Sequence, residues 1–130
     1  MKSPAEPHVA LLGKAIDDLY VLERLFVDEQ AADWVLGFHA QQAVEKALKA
    51  VLAHAGIVFP RTHNLSMLLE LLNQAGLALP PNSHELAQLT PFGVVARYED
   101  ALDDELTVDR AYALHSATDT VAWAKAQIAN

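Results

Sequence analysis

A group of polar side chains inside an otherwise apolar stretch is the first chemistry the sequence offers. Between Trp34 and Phe59, the residues His39, Gln41, Gln42, Glu45, Lys46 and Lys49 interrupt a run rich in Ala, Leu and Val. On a wheel of about 100° per residue, Gln41 and Glu45 fall within about 40° of Trp34, together with Phe38, Leu48 and Leu52. His39, Gln42, Lys46 and Lys49 gather in a separate arc about 80° wide. An amide and a carboxylate in an apolar stripe require partners, because burying a polar group without one costs free energy. Two uses are open for Gln41 and Glu45. They satisfy backbone groups or an arginine and fix how helices dock, or they line a pocket or a dimer seam. The arc of His39, Lys46 and Lys49 is either a solvated face or a nucleotide or phosphate contact, since lysines three apart lie on one side of a helix. Trp34 and Phe38 belong in a core by default, and exposure would point to oligomerisation instead.

Three other places carry candidate chemistry. Arg97 is either a structural partner for Glu45 or the following acids, or a bidentate ligand for a nucleotide or RNA phosphate. His63, in the turn Pro60-Arg61-Thr62-His63-Asn64, is held by that turn or serves as a ligand or proton carrier. The segment with Glu99, Asp100, Asp103, Asp104 and Glu105 lacks the glycine-punctuated spacing of a cation loop, so neither a metal nor a cofactor is expected. His8, His54 and His84 sit at expected helix ends and receive no role.

Helices must position these groups, because the apolar residues recur at the helical period and no segment alternates like a strand. The pattern predicts five. The first covers about Pro7 to Phe26, with Leu12, Ala15, Leu19, Leu22 and Phe26 on one face. The second covers about Ala32 to Ala55 and stops at Gly56. Thr62 and Asn64 offer caps for a third, Leu65 to Gln74, which Gly76 ends. Asn82 and Glu85 have capping-box spacing at the head of a fourth, which runs to about Tyr98 with a kink at Pro91. Thr107 caps a fifth, with Leu114, Ala117, Val121, Ala124 and Ile128 as its seam. Short connections predict an all-α, antiparallel up-and-down bundle in a single domain.

Composition limits what such a bundle does. The 130 residues hold 9 Lys+Arg against 17 Asp+Glu, a net charge of −8, and no cysteine. Thiolate catalysis and Cys-ligated zinc are excluded. The acidic balance denies any broad footprint for nucleic acid, so a polynucleotide would be met only by a local patch. The polar start, MKSPAEPH, does not read as a signal peptide, and the charged second helix cannot span a bilayer. A cytoplasmic protein is the expectation.

The run from Trp34 through Phe38-His39-Ala40-Gln41-Gln42-Ala43-Val44-Glu45-Lys46-Ala47-Leu48-Lys49-Ala50 resembles the signature helix of the HEPN domain family. Pro60-x2-His63-Asn64-Leu65, Leu86-x2-Leu89 and Arg97-Tyr98 follow in the family's order, so the likeness extends from about Leu12 to Trp123. The resemblance implies a small helical bundle that works as a homodimer. It also implies a partner, a minimal nucleotidyltransferase, in a toxin–antitoxin-like pair, and a nucleotide or RNA as ligand. Some relatives are metal-independent ribonucleases carrying Arg-x4–6-His, in which histidine moves a proton and arginine steadies phosphate charge. Arg97 matches the motif arginine, but positions 102 to 104 are Leu, Asp and Asp. The one literal match, Arg110 with His115, puts the two about 140° apart on a helix. The resemblance is therefore to the branch without the motif, leaning away from an enzyme. A divergent ribonuclease using Arg97 with His39 or His63, and a purely structural dimerisation domain, remain as alternatives. Tyr98, next to Arg97, joins Trp34, Phe38, Gln41 and Glu45 as a candidate for the pocket or seam.

Overall fold

In the computed structural model, residues 6–95 and 108–129 are described. They form an all-α bundle of α1 (Pro7–Phe26), α2 (Asp33–His54), α3 (Leu65–Gln74), α4 (Ser83–Leu86), α5 (Thr90–Val95) and α6 (Arg110–Ala129), with a 3₁₀ turn, Ala87–Leu89, joining α4 to α5. Arg97, Tyr98, the acids from Glu99 to Glu105 and Thr107 lie outside the described residues.

Local signals set most helix ends. Gly56 (φ 76°) and Gly76 (φ 74°) take the left-handed conformation just past α2 and α3. Behind Gly56, the Ile57 amide donates to the Leu52 carbonyl at 2.9 Å and the Gly56 amide to Ala53 at 3.0 Å, which satisfies two orphan carbonyls of α2. At the head of α3, Asn64 Oδ1 accepts from the Met67 amide at 3.3 Å, and Thr62 Oγ1 accepts from the Asn64 amide at 3.0 Å. Both predicted cap residues therefore act, one on the helix and one on the turn that leads into it.

Three expectations are corrected. The fourth helix is not continuous: it is α4, the 3₁₀ turn and α5 in succession. Pro91 sits in the first turn of α5, where its missing N–H costs no helical bond, and the chain tightens just before it. The Asn82–Glu85 capping box does not form either. Asn82 has φ 53°, a left-handed conformation, and the Glu85 amide bonds to its backbone carbonyl at 2.9 Å instead of its side chain. Finally, α6 starts at Arg110, not after Thr107. Its cap is Asp109, whose Oδ1 accepts from the Tyr112 amide at 3.1 Å.

The centre of the bundle is α2, which touches α1, α3, α5 and α6. Leu36, Ala40, Ala43, Val44, Ala47, Leu48, Val51 and Leu52 are buried around nearly its whole circumference. Many of these are alanines, which lets neighbouring axes approach closely. Into this core α1 sends Ala15 and Leu22, α3 sends Leu65, Leu68 and Leu72, and α6 sends Ala117, Val121 and Ala124. With α5 the approach is close. A Cβ on Gly37 would stand 2.3 Å from the Phe92 ring, so Phe92 lies in a notch that only glycine leaves open. Trp34, at the start of α2, is 41% exposed and so does not belong to the core, whereas Phe38 is half-buried. No helix among the described residues is long and apolar enough to cross a membrane.

Candidate functional site

The apolar stripe of α2 is interrupted by one connected polar network. Gln41, Gln42 and Glu45 are buried. Gln41 Nε2 donates to Glu45 Oε1 at 2.8 Å, one helical turn away, and to the backbone carbonyl of His63 at 3.2 Å. Gln42 Nε2 donates in turn to the Gln41 Oε1. Glu45 also receives His63 Nδ1 on Oε1 at 2.8 Å and Lys49 Nζ on Oε2 at 3.0 Å. One carboxylate thus gathers three donors. It joins the loop before α3 to the middle of α2.

Electrostatics follow from that geometry. Burial pushes the Glu45 carboxyl up, but hydrogen bonds from Gln41, His63 and Lys49 and the Lys49 charge outweigh it and hold Glu45 below its ordinary value. The carboxylate therefore stays ionised. Its partner His63 is fixed at Nδ1 with its ring about one-third exposed (32%), while Lys49 has its ammonium near the Phe59 ring, 5.8 Å from the centroid.

A second network lies on the opposite flank of α2. Lys46 Nζ stands 2.7 Å from Asp18 Oδ2 and His39 Nδ1 stands 3.0 Å from Asp18 Oδ1. Burial raises the Asp18 carboxyl, and the hydrogen bonds and charges of His39 and Lys46 more than offset it, leaving Asp18 below its ordinary value. His39 and Lys46 thus share one acid, whereas Lys49 belongs to the other network. The structure divides the predicted cationic arc between two carboxylates.

Sequence reasoning missed Asp18. A signal was there: it follows Ala15 by three and precedes Leu22 by four, an acid beside the inward face of α1. Arg110 was considered only as a motif arginine. It instead clamps the α1–α2 connection, with Nε 2.9 Å from Asp33 Oδ1 and its guanidinium on the carbonyls of Asp28 and Ala31. His115 is exposed on α6. Beside α6, two clefts of about 290 and 270 Å³ meet at Glu85 and Tyr112, and Asp109 and Asp119 add to their acidic lining. A phosphate would be repelled there. Among the described residues, no three His, Asp or Glu converge as metal ligands.

The family model of the HEPN domain matches residues 8–125, nearly the whole chain. The chain belongs to the HEPN family. That match spans the Gln41–Glu45–His63–Lys49 network, so these four residues are the polar centre of this HEPN domain. No match is found among curated proteins or among solved structures.

Proposed function

We propose that this HEPN protein is a dimeric binding module, the partner of a minimal nucleotidyltransferase in a two-component, toxin–antitoxin-like pair. Its ligand is a nucleotide or RNA phosphate, met in a groove near α2 and the α4–α5 segment. Membership of the HEPN family supports the general reading, and the neutralisation of the α2 cations favours binding over cleavage. Lys49 is committed to Glu45, and Lys46 and His39 to Asp18. Cleaving RNA requires a cation free to take up developing phosphate charge beside a histidine free to move a proton. In this reading α2 supplies a rigid, internally paired wall. Arg97, two residues beyond α5, is the bidentate anchor for phosphate, and Lys46, Lys49 and His39 contribute only from their exposed edges.

Two measurements test it. Calorimetric titration with ATP and with a short RNA is expected to show binding that Arg97→Ala weakens at least tenfold. Co-expression with the product of the adjacent gene is expected to yield a complex containing a nucleotidyltransferase. Flat titrations together with no such complex would overturn the proposal.

One observation favours a second reading, a ribonuclease. His63 has Nδ1 held by a buried carboxylate and part of its ring exposed, the orientation of a general base. Incubation with labelled RNA decides between them. Cleavage lost in both His63→Ala and Arg97→Ala would support the enzyme, and uncut RNA with the native chain would remove it.

A further inference from the structure

Two histidines that the sequence left without a role meet across the ends of two helices. His8 is the second residue of α1, and His54 is the last of α2. Their ring centroids stand 4.9 Å apart, with the ring planes at 70°. Glu6, the residue before α1, brings Oε2 to 3.4 Å from His8 Nδ1. His54 is exposed, and its ring makes no hydrogen bond or ion pair among the described residues. The pair therefore opens to solvent with ring nitrogens to spare.

Such a pair is either a plain edge-to-face ring contact or a chelate, and the spacing fits a chelate. A late first-row metal ion binds an imidazole nitrogen at about 2.0 Å, so two imidazoles on one ion hold their centroids about 5 Å apart. The observed separation already has that value. Neither helix has to move for the rings to share an ion. Glu6 supplies the companion feature, because a metal-bound histidine gives its other ring N–H to a carboxylate. With Nδ1 turned to Glu6, His8 keeps Nε2 for the ion. Among the described residues no other two histidine rings are in contact. His39 and His63 instead face Asp18 and Glu45, each with a lysine on the same carboxylate. Two imidazoles fall one ligand short of a closed site, in keeping with the lack of a converging trio, and water completes the coordination.

We propose that His8 and His54 form a two-imidazole site for a divalent late transition-metal ion, Cu²⁺ before Ni²⁺ or Zn²⁺. Imidazole selects these ions over Mg²⁺ and Ca²⁺, which take oxygen ligands. The bound ion clips the start of α1 to the end of α2. Its role is structural, since the site shares no residue with the Glu45 and Asp18 networks. Each imidazole must be neutral to bind, so acid releases the ion.

Both histidines stand at helix ends, where alanine is expected to leave the fold intact. Calorimetric titration of the whole chain with Cu²⁺ and Ni²⁺ near neutral pH is expected to show one ion bound per chain. His8→Ala and His54→Ala are each expected to weaken it at least tenfold, and His84→Ala to leave it unchanged. The double variant H8A/H54A is expected to bind no more weakly than either single one, because removing either ring already loses the shared ion. Ni²⁺ is expected to raise the unfolding temperature of the native chain, reversibly with EDTA, and not that of the variants. Mg²⁺ is expected to do nothing. Losses that add in the double variant would mean two independent surface imidazoles and would overturn the proposal. Equal Ni²⁺ affinity in the native chain and His54→Ala would overturn it too, as would binding that leaves the unfolding temperature unchanged.

Discussion

The backbone of Gly93 lies against the side-chain amide of Gln41, so closely that a Cβ on Gly93 would stand 2.5 Å from Gln41 Cδ. The amide cannot retreat, because Glu45, the His63 carbonyl and Gln42 all bond to it. Alanine is ordinarily the better helix residue by about 1 kcal/mol. Here the sign reverses. Gly93→Ala is expected to destabilise the fold by about 1–3 kcal/mol in urea unfolding, the cost of overpacking. Gly13→Ala, on the open face of α1, is expected to stabilise by about 0.5–1 kcal/mol. A stabilised Gly93→Ala would show that the polar network tolerates displacement.

Acid should unfold this protein in part through Glu45. Its folded pKa lies below the ordinary 4.5, so the unfolded chain binds the proton first. The stability this brings is complete above pH 4.5 and is lost as pH falls through the folded value. Asp18 acts likewise below 3.8. The urea midpoint is expected to fall between about pH 5 and about pH 3, and by less in Glu45→Gln, whose stability starts lower. An equal acid loss in both would assign the effect to other carboxylates.

Removing Glu45 strands Lys49 and frees His63. Glu45→Gln is expected to cost about 3 kcal/mol at neutral pH, the range for breaking one side of a buried pair. Lys49→Met leaves the carboxylate two donors, Gln41 and His63, and is expected to cost less. The ordering of the two variants by thermal unfolding checks the claim that Glu45 is the hub.

Asp18 neutralises both cations on its side of α2. Asp18→Asn keeps the shape and releases Lys46 and His39 toward a phosphate. If those side chains serve the ligand from their edges, RNA affinity is expected to rise several-fold at low salt, and Lys46→Ala to lower it. Unchanged affinity in both variants would confine phosphate binding to Arg97.

Arg110 acts on stability. It holds Asp33 and two carbonyls of the α1–α2 connection, so Arg110→Ala is expected to cost about 1–3 kcal/mol. Arg110→Lys should recover little, since an ammonium cannot reproduce the planar fork. Denaturant unfolding of the two variants makes the comparison, and full rescue by lysine would mean that charge alone suffices.

Helix ends and helix identity were legible from local sequence wherever the governing interaction spans a few residues. Gly56 and Gly76 stop helices because only glycine enters the left-handed region freely, and Asn64 caps because its oxygen reaches an amide three residues on. The sequence placed Gln41 and Glu45 on one apolar stripe and required partners for both, but expected backbone groups or an arginine and not the bond between them. Where two local signals competed, the sequence misled. Asn82 satisfied the capping pattern yet took the turn conformation that asparagine tolerates, and the helix over Pro91 broke into short pieces.

The amino-acid sequence alone determined that the chain is an all-α HEPN domain with an acid and an amide at the middle of its central helix. Only the tertiary structure decided who pairs with whom. Asp18 meets Lys46 across 28 residues and His63 meets Glu45 across 18, and no local rule selects such pairs. They follow from how α1 and the loop before α3 dock on α2. Apolar packing sets that docking, and the charges then take the partners it brings within reach.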